Sequence, residues 1–402
     1  MVALQPFLFY IPHAVRHLFS LFWRTDAEPP PSDYYPFHQN ERLNGRYLVH
    51  TKLGSGVWSN TLLVTDTSVR TSKQFYAVKV LTLDATNDHR TGMSLELESM
   101  RKVCSSGRSE CLPTLVDVFE IPRTRGHVHL CLVMDVYGQD IATFRRSAPQ
   151  KALPVYVVKT IIKQVLLATA RLHELGIVHT DIKPDNMLFR TEMTPDAIEQ
   201  FVAQLPSDED DALHPLPADF HWNDPEERIR KMNVVLTDLG QSQRIGPVGQ
   251  QTAPLFGAFS LRAPEVILRS DFGPAIDIWA IGCIVFEMLS GRWLFHPEAG
   301  GDDWSIEDDH LAKMIELTNE RFSAAMLERA ENAREYFDSH GDLLRVQELY
   351  PVPLQDALNN YKTITADEAK AAAVFIRECL HLEPAARWSA RQLLEHPWLR
   401  DL

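Results

Sequence analysis

Eight consecutive residues, His179-Thr180-Asp181-Ile182-Lys183-Pro184-Asp185-Asn186, carry a carboxylate, an ammonium and an amide close enough to act on one substrate. Such a set suits phosphoryl transfer. The Asp181 carboxylate could orient an attacking hydroxyl and accept its proton, the Lys183 ammonium could neutralise the moving phosphoryl, and the Asn186 amide oxygen could hold Mg²⁺. Pro184 fixes one φ and stiffens the loop. Further along, Val234-Val235-Leu236-Thr237 runs as an apolar strand into Asp238-Leu239-Gly240, placing a second carboxylate where it could bridge Mg²⁺ to phosphates. Alone, the octet also reads as a polar loop, so the assignment depends on partners standing at the right places.

Several elements could position these groups. Residues 47–53 and 61–65 are short β-rich runs, and Gly54-Ser55-Gly56-Val57-Trp58-Ser59 between them reads as a hairpin over phosphates. Its glycines let backbone N–H groups approach phosphate oxygens, and the aromatic at its tip could close over a nucleotide. Phe75-Tyr76-Ala77-Val78-Lys79-Val80 is a strand with one lysine in apolar surroundings, which is costly to bury unless paired. Glu96 is the expected partner, because Met100 four residues on shares its helical face; Glu98 is the rival, pointing about 200° round the helix. Residues 128–134 form an apolar strand ending in Asp135-Val136-Tyr137-Gly138. Val158, Ile161, Ile162, Val165 and Leu172 recur at helical spacing, and Gly176 ends that helix just before the octet. Residues 277–286 are apolar almost throughout, as a helix buried inside a large lobe should be.

The octet fits H-x-D-x-K-x-x-N, and with Asp238-Leu239-Gly240, Ala263-Pro264-Glu265 and the distant Arg387 it resembles the eukaryotic protein kinases. The resemblance implies an α+β, two-lobed fold: a small antiparallel β-sheet lobe with one main helix, and a large, mainly helical lobe. It implies ATP and Mg²⁺ as cofactors. Asp181, Lys183 and Asn186 take the catalytic positions, and Asn186 and Asp238 hold metal. Lys79, paired with Glu96, sits against the α- and β-phosphates. Met134 lies behind the adenine, the backbone of Asp135 and Tyr137 binds its edge, and Leu53, Gly54, Gly56, Ala77 and Leu188 complete the nucleotide site. Glu265 pairs with Arg387, and Asp277 braces the catalytic loop. Ser59 stands where the third loop glycine is usual, Thr61 replaces a valine, and Leu239 replaces a phenylalanine.

Lys183 is the form found in serine/threonine kinases, and Thr180 replaces the arginine that many kinases use to sense an activating phosphate. Ser242, Thr252 and Ser260 are accordingly poor switch candidates. The chain is further similar to the SR-protein kinases, and to their short fungal forms, in His179-Thr180-Asp181, in Asp238-Leu239-Gly240 and in an insert between them. The motifs Asn44-Gly45-Arg46-Tyr47, Leu261-Arg262-Ala263-Pro264-Glu265 and Gly291-Arg292-Trp293-Leu294-Phe295 point the same way. This implies serine or threonine acceptors in Arg/Ser-rich proteins, and a place in mRNA splicing regulation.

The insert is evident from spacing, since 57 positions (238 minus 181) separate the two key aspartates. Five prolines and the run Asp208-Glu209-Asp210-Asp211 in residues 191–231 suggest a partly mobile, solvated loop. Asp302, Asp303, Glu307, Asp308 and Asp309 surround Trp304 and read either as a solvated face or as a dock for arginine-rich peptides.

Composition sets outer limits. A chain of 402 residues, 45% hydrophobic, can bury a large core. The formal charge of −14 disfavours nucleic acid as a direct ligand and favours a basic protein partner. Five cysteines without a C-x-x-C pair fit a reducing compartment. No apolar run reaches about 18 residues, so no membrane span is expected. Residues 1–25 are apolar, aromatic and free of acid, which suits either a mitochondrial presequence or a surface extension; Pro6 and Pro12 interrupt any long amphipathic helix. The expected organisation is an extension over 1–40, a small lobe over 41–135 and a large lobe over 139–402, in a monomer of the cytoplasm or nucleus. A nucleotide-binding pseudokinase scaffold, supported by Ser59 and Thr61, is the alternative. A small-molecule kinase would not need the Ala263-Pro264-Glu265 segment with its distant arginine.

Overall fold

The structure, a computed structural model, describes residues 33–68, 73–123, 126–206, 212–246, 257–346 and 348–400. The possible targeting segment 1–25, Pro29 to Pro31, the acidic run 208–211 and Thr252 lie outside them.

The small lobe is one antiparallel sheet in the order β1-β2-β3-β4-β6-β5. Its strands are β1 (Arg42–Leu43), β2 (Tyr47–Gly56), β3 (Ser59–Asp66), β4 (Phe75–Leu81), β5 (Leu115–Pro122) and β6 (Val128–Met134). Alternation along β4 sets the direction of its lysine. Val78 and Val80 join Leu62, Val64, Tyr47 and Val133 in the core on one face. Lys79 must therefore project from the other face, where helix α2 (Glu96–Ser105) follows helix α1 (Leu83–Arg90). Helix α2 is anchored there by Leu97, Met100 and Val103, which pack into the main core with Leu81 and Leu132.

The large lobe holds a three-stranded sheet, β10-β9-β7, and a pair, β11-β8. These comprise β7 (Tyr137–Asp140), β8 (Ile177–Val178), β9 (Met187–Arg190), β10 (Val234–Leu236) and β11 (Gln243–Arg244). Helix α3 (Val155–Glu174) buries the stripe Val158, Ile161, Ile162, Val165 and Leu172, and Gly176 turns the chain at φ +70°. After α4 (Pro195–Ala203) come α5 (Ala275–Ser290), α6 (Ile306–Thr318) and α7 (Ala366–Cys379). Every residue of α5 from Ile276 onward is buried. A Cβ at Gly282 would stand 2.7 Å from that of Cys379, so glycine is what lets α5 and α7 approach so closely. No helix among the described residues is long and apolar enough to cross a membrane.

Two expectations change. Residues 33–40, assigned to the extension outside the small lobe, pack on it: Phe37 enters the core, and Asn40 donates its N–H to the Val49 carbonyl at 2.9 Å. The insert, read as a partly mobile loop, is folded over its described residues, 191–206 and 212–231. Thr194 caps α4 by accepting from the Ala197 N–H, with Pro195 in the first turn. Ile198 and Leu216 then bury against Leu63 of β3 and Val136 beside the hinge, with Phe201, Val202, Leu53 and Phe75 packed around them. Leu213 forms an isolated parallel bridge to Lys52 of β2, and His214 donates its N–H to the Lys52 carbonyl at 2.8 Å. Apolar residues hidden among prolines and acids supplied the burial that the composition concealed.

Ile198→Ala should accordingly lower unfolding free energy by about 2–4 kcal/mol in urea titrations. Leu213→Ala, at an exposed side chain whose tie is backbone, should change it by less than about 0.5 kcal/mol. Equal, small effects at both positions would contradict a folded insert.

Candidate active site

The site is built around one cation. Lys79 Nζ lies 2.5 Å from Glu96 Oε1 and 2.8 Å from Asp238 Oδ1, joining a strand, a helix and the large lobe. Glu96 opens α2, where the unpaired N–H groups of a helix start favour a negative charge. Glu98 points away and pairs with Arg244 at the surface, which decides between the two glutamates. Burial works against the Lys79 charge, but the Asp238 and Glu96 carboxylates outweigh it and hold the ammonium pKa above its ordinary value. Lys79 in turn draws the Asp238 carboxyl down to about 2. Burial pushes Glu96 the other way, upward, with Lys79 opposing.

The octet forms a second cluster. Asp181 Oδ2 accepts from Lys183 Nζ at 2.7 Å and from Asn186 Nδ2 at 3.0 Å. Asn186 Nδ2 also donates to the Asp181 carbonyl at 2.8 Å. Both partners are acceptors, so chemistry sets the amide orientation and leaves Oδ1 as the atom for a cation. Burial opposes the Lys183 charge, yet Asp181 leads the carboxylates that raise its pKa. The loop backbone is braced from below: the N–H groups of His179 and Thr180 each donate to Asp277 of α5 at 2.8 Å. His173 Nε2 reaches the same carboxylate at 2.9 Å.

Thr237 joins the two clusters. Its N–H donates to the Asn186 carbonyl at 2.8 Å, and its own carbonyl accepts from His179 Nε2 at 2.9 Å. The next residue, Asp238, is thereby delivered beside the octet in a left-handed conformation, φ 62°. A Cβ at Gly240 would come within 3.2 Å of Asp238 Oδ1, so any larger residue would press on that carboxylate. Thr180, also left-handed at φ 69°, donates its hydroxyl to the Gln241 carbonyl at 2.8 Å. Ser242 is fully buried and bonded to Ser99 of α2 at 2.8 Å.

The remaining nucleotide-site residues come from strands meeting at the hinge. Ala77 of β4 pairs in register with Met134 at the end of β6. Asp135 and Tyr137 span the crossover into β7; Leu188 lies on β9 and Leu53 on β2, with Gly54 and Gly56 at the end of β2. Trp58, expected over the nucleotide, is half-buried and packed against the main core instead. Among the described residues no three His, Cys, Asp or Glu side chains gather as a metal site. The Asp238 carboxylate and Asn186 Oδ1 are oxygen donors of the kind that Mg²⁺ takes together with phosphates and water.

The buried ion pair expected below the site is present: Arg387 Nη1 and Nη2 meet Glu265 Oε1 and Oε2 at 2.6 and 2.8 Å. The acidic cluster is smaller than its composition implied. Asp308 caps α6 through Ser305 and accepts from Arg345 at 2.6 Å, and Asp309 pairs with Lys313. That leaves Asp302 and Asp303 exposed, while Glu307 is half-buried in the first turn of α6.

A family model described as a protein kinase domain matches residues 47–399. The chain belongs to the protein kinase family. Among curated relatives of this kinase, the serine/threonine-protein kinase SRPK of Physarum polycephalum is 29% identical over 395 residues, covering 92% of this chain and 89% of that protein. Protein kinase dsk1 of Schizosaccharomyces pombe is 26% identical, covering 92% and 83%. SRSF protein kinase 3 of Mus musculus is 24% identical, covering 91% and 88%. A crystallised kinase domain superposes with a TM-score of 0.67 at 20% identity, over 91% of this chain and 99% of that one, and shares the fold. The kinase thus resembles SRPK-type proteins over most of its length, as its motifs indicated.

Lys79→Met leaves two carboxylates facing each other without their cation. Their folded pKa values should then rise above the unfolded ones, so the melting deficit against wild type should be large at pH 7 and smaller at pH 5, where they protonate. Glu98→Gln should show no such dependence. A deficit in Lys79→Met that does not change with pH would count against the shared-cation arrangement.

Proposed function

We propose that the protein transfers the γ-phosphoryl of Mg-ATP to serine or threonine side chains of proteins. The observation that carries this reading is the junction at Thr237, which sets the Lys79–Glu96–Asp238 cluster beside the Asp181–Lys183–Asn186 cluster. Lys79, held by Glu96, binds the α- and β-phosphates. Asp181, with Oδ2 held by Lys183 and Asn186, orients the acceptor hydroxyl and receives its proton as the bond to phosphorus forms. Lys183 offsets charge on the phosphoryl in flight. Asp238 and Asn186 Oδ1 would hold Mg²⁺, which when bound neutralises charge on the β- and γ-oxygens.

Arginine-rich segments around the acceptor serine are the proposed substrates. Exposed Asp302 and Asp303, next to the partly exposed Trp304, supply carboxylates and a ring for guanidinium groups. The relatives' naming for SRSF proteins supports the same class. Ser59 and Thr61, which favour a scaffold without catalysis, pair with Gly56 and Gly54 across β2 and β3.

Asp181→Asn should keep affinity for a non-hydrolysable ATP analogue within about twofold while radiolabelled transfer to an Arg-Ser peptide falls by about 10²–10⁴. Unchanged turnover would remove Asp181 from the mechanism.

A further inference from the structure

The turn of the glycine hairpin is tied from outside the hairpin. The Tyr34 hydroxyl lies 3.0 Å from the Gly56 carbonyl oxygen and 2.8 Å from that of Val57. The next carbonyl, Trp58, accepts from the Thr82 N–H at 2.9 Å, and the Leu83 N–H donates to the Asp33 carbonyl at 3.1 Å. Three successive carbonyls of the turn thus find donors on residues flanking the hairpin.

Tyr34 is itself well held. Phe37 anchors its segment in the small-lobe core, and Tyr35 sets its ring edge-on against His129 at 5.5 Å while its hydroxyl donates to Glu41 at 3.1 Å. Burial, and then the nearby Asp33 charge, raises the Tyr34 pKa, so the hydroxyl keeps its proton at neutral pH. Its one hydrogen is shared between two carbonyls, a three-centre arrangement.

In a trans peptide the carbonyl and the following N–H point in opposite directions, and no described peptide is cis. Each carbonyl turned toward Tyr34 therefore sends the N–H of Val57 or of Trp58 away from it. Those N–H groups are the donors at the tip of a Gly-x-Gly turn, the kind that cradle phosphate oxygens. Packing at the glycines does not impose this orientation: a Cβ at Gly54 would meet nothing within 4 Å, and one at Gly56 only the Ser59 carbonyl at 3.8 Å. Glycines in open space lose entropy when ordered, and an external donor reduces that cost.

We propose that Tyr34 is a positioning residue for the nucleotide's terminal phosphates, aiming the Val57 and Trp58 N–H groups through its bonds to the Gly56 and Val57 carbonyls. The inference rests on reading the cleft as a nucleotide site. It assigns a function to a residue upstream of the region matched by the kinase family model, which begins at residue 47.

The test is calorimetric titration of the full chain, wild type and Tyr34→Phe, with adenosine and with a non-hydrolysable ATP analogue plus Mg²⁺. Tyr34→Phe should bind the analogue about three- to tenfold more weakly, as expected for one shared hydrogen bond, and adenosine equally well. The KM for ATP should rise by the same factor with no change in KM for the peptide. Equal loss for both ligands would make Tyr34 a general support of the lobe, and no loss for either would remove it; both results overturn the proposal. Hydrogen exchange over residues 54–60 without ligand supplies an independent reading: it should quicken in Tyr34→Phe, and unchanged exchange also overturns the proposal. Wild type that binds neither ligand defeats the nucleotide reading, and this inference with it. Tight wild-type binding with no Tyr34→Phe effect defeats the inference alone.

Discussion

A single ammonium shared by two carboxylates holds this molecule's chemistry in place. Lys79 comes from the small sheet, Glu96 from its helix and Asp238 from the large lobe, so their meeting fixes three separate elements at one point. Desolvating any one of these charges alone would be costly, and only their proximity offsets it. Asp238 must adopt a left-handed backbone to take part, a conformation that costs a non-glycine residue energy. The bonds of Thr237 to Asn186 and His179, and of Thr180 to Gln241, hold it there.

Beneath this point the large lobe is rigid by construction. Helix α5 is buried along nearly its whole length, and it spends its one first-turn acid, Asp277, on two N–H groups of the catalytic loop. Arg387 and Glu265 close the same region with a two-pronged, fully buried pair. The loop bearing Asp181 is therefore positioned by helix packing, while the small lobe above it is joined through the hinge and the shared cation.

The insert adds a further connection between the lobes. Its apolar residues pack beside the hinge, and Leu213 and His214 tie to Lys52 of β2, next to Leu53. A spacer that composition assigns to solvent thus shapes the edge of the nucleotide cleft. The acidic cluster near Trp304 shows the reverse: a patch that composition assigns to a partner gives Asp308 and Asp309 to internal bonds.

The spacing of polar residues singled out the groups that could act together. Asp181, Lys183, Asn186 and Asp238 were legible because those types stand near glycine turns and strand ends in the pattern that phosphoryl transfer would need. The alternation of β4 and the helical stripe of α3 were legible because each depends on a local period. Only the tertiary structure decided how the groups meet: Glu96 over Glu98, the junction at Thr237, the inward turn of Trp58, the folding of the insert and the reach of Tyr34 to the hairpin. None of these leaves a periodic trace, because each pairs residues from distant parts of the chain through geometry that packing alone sets.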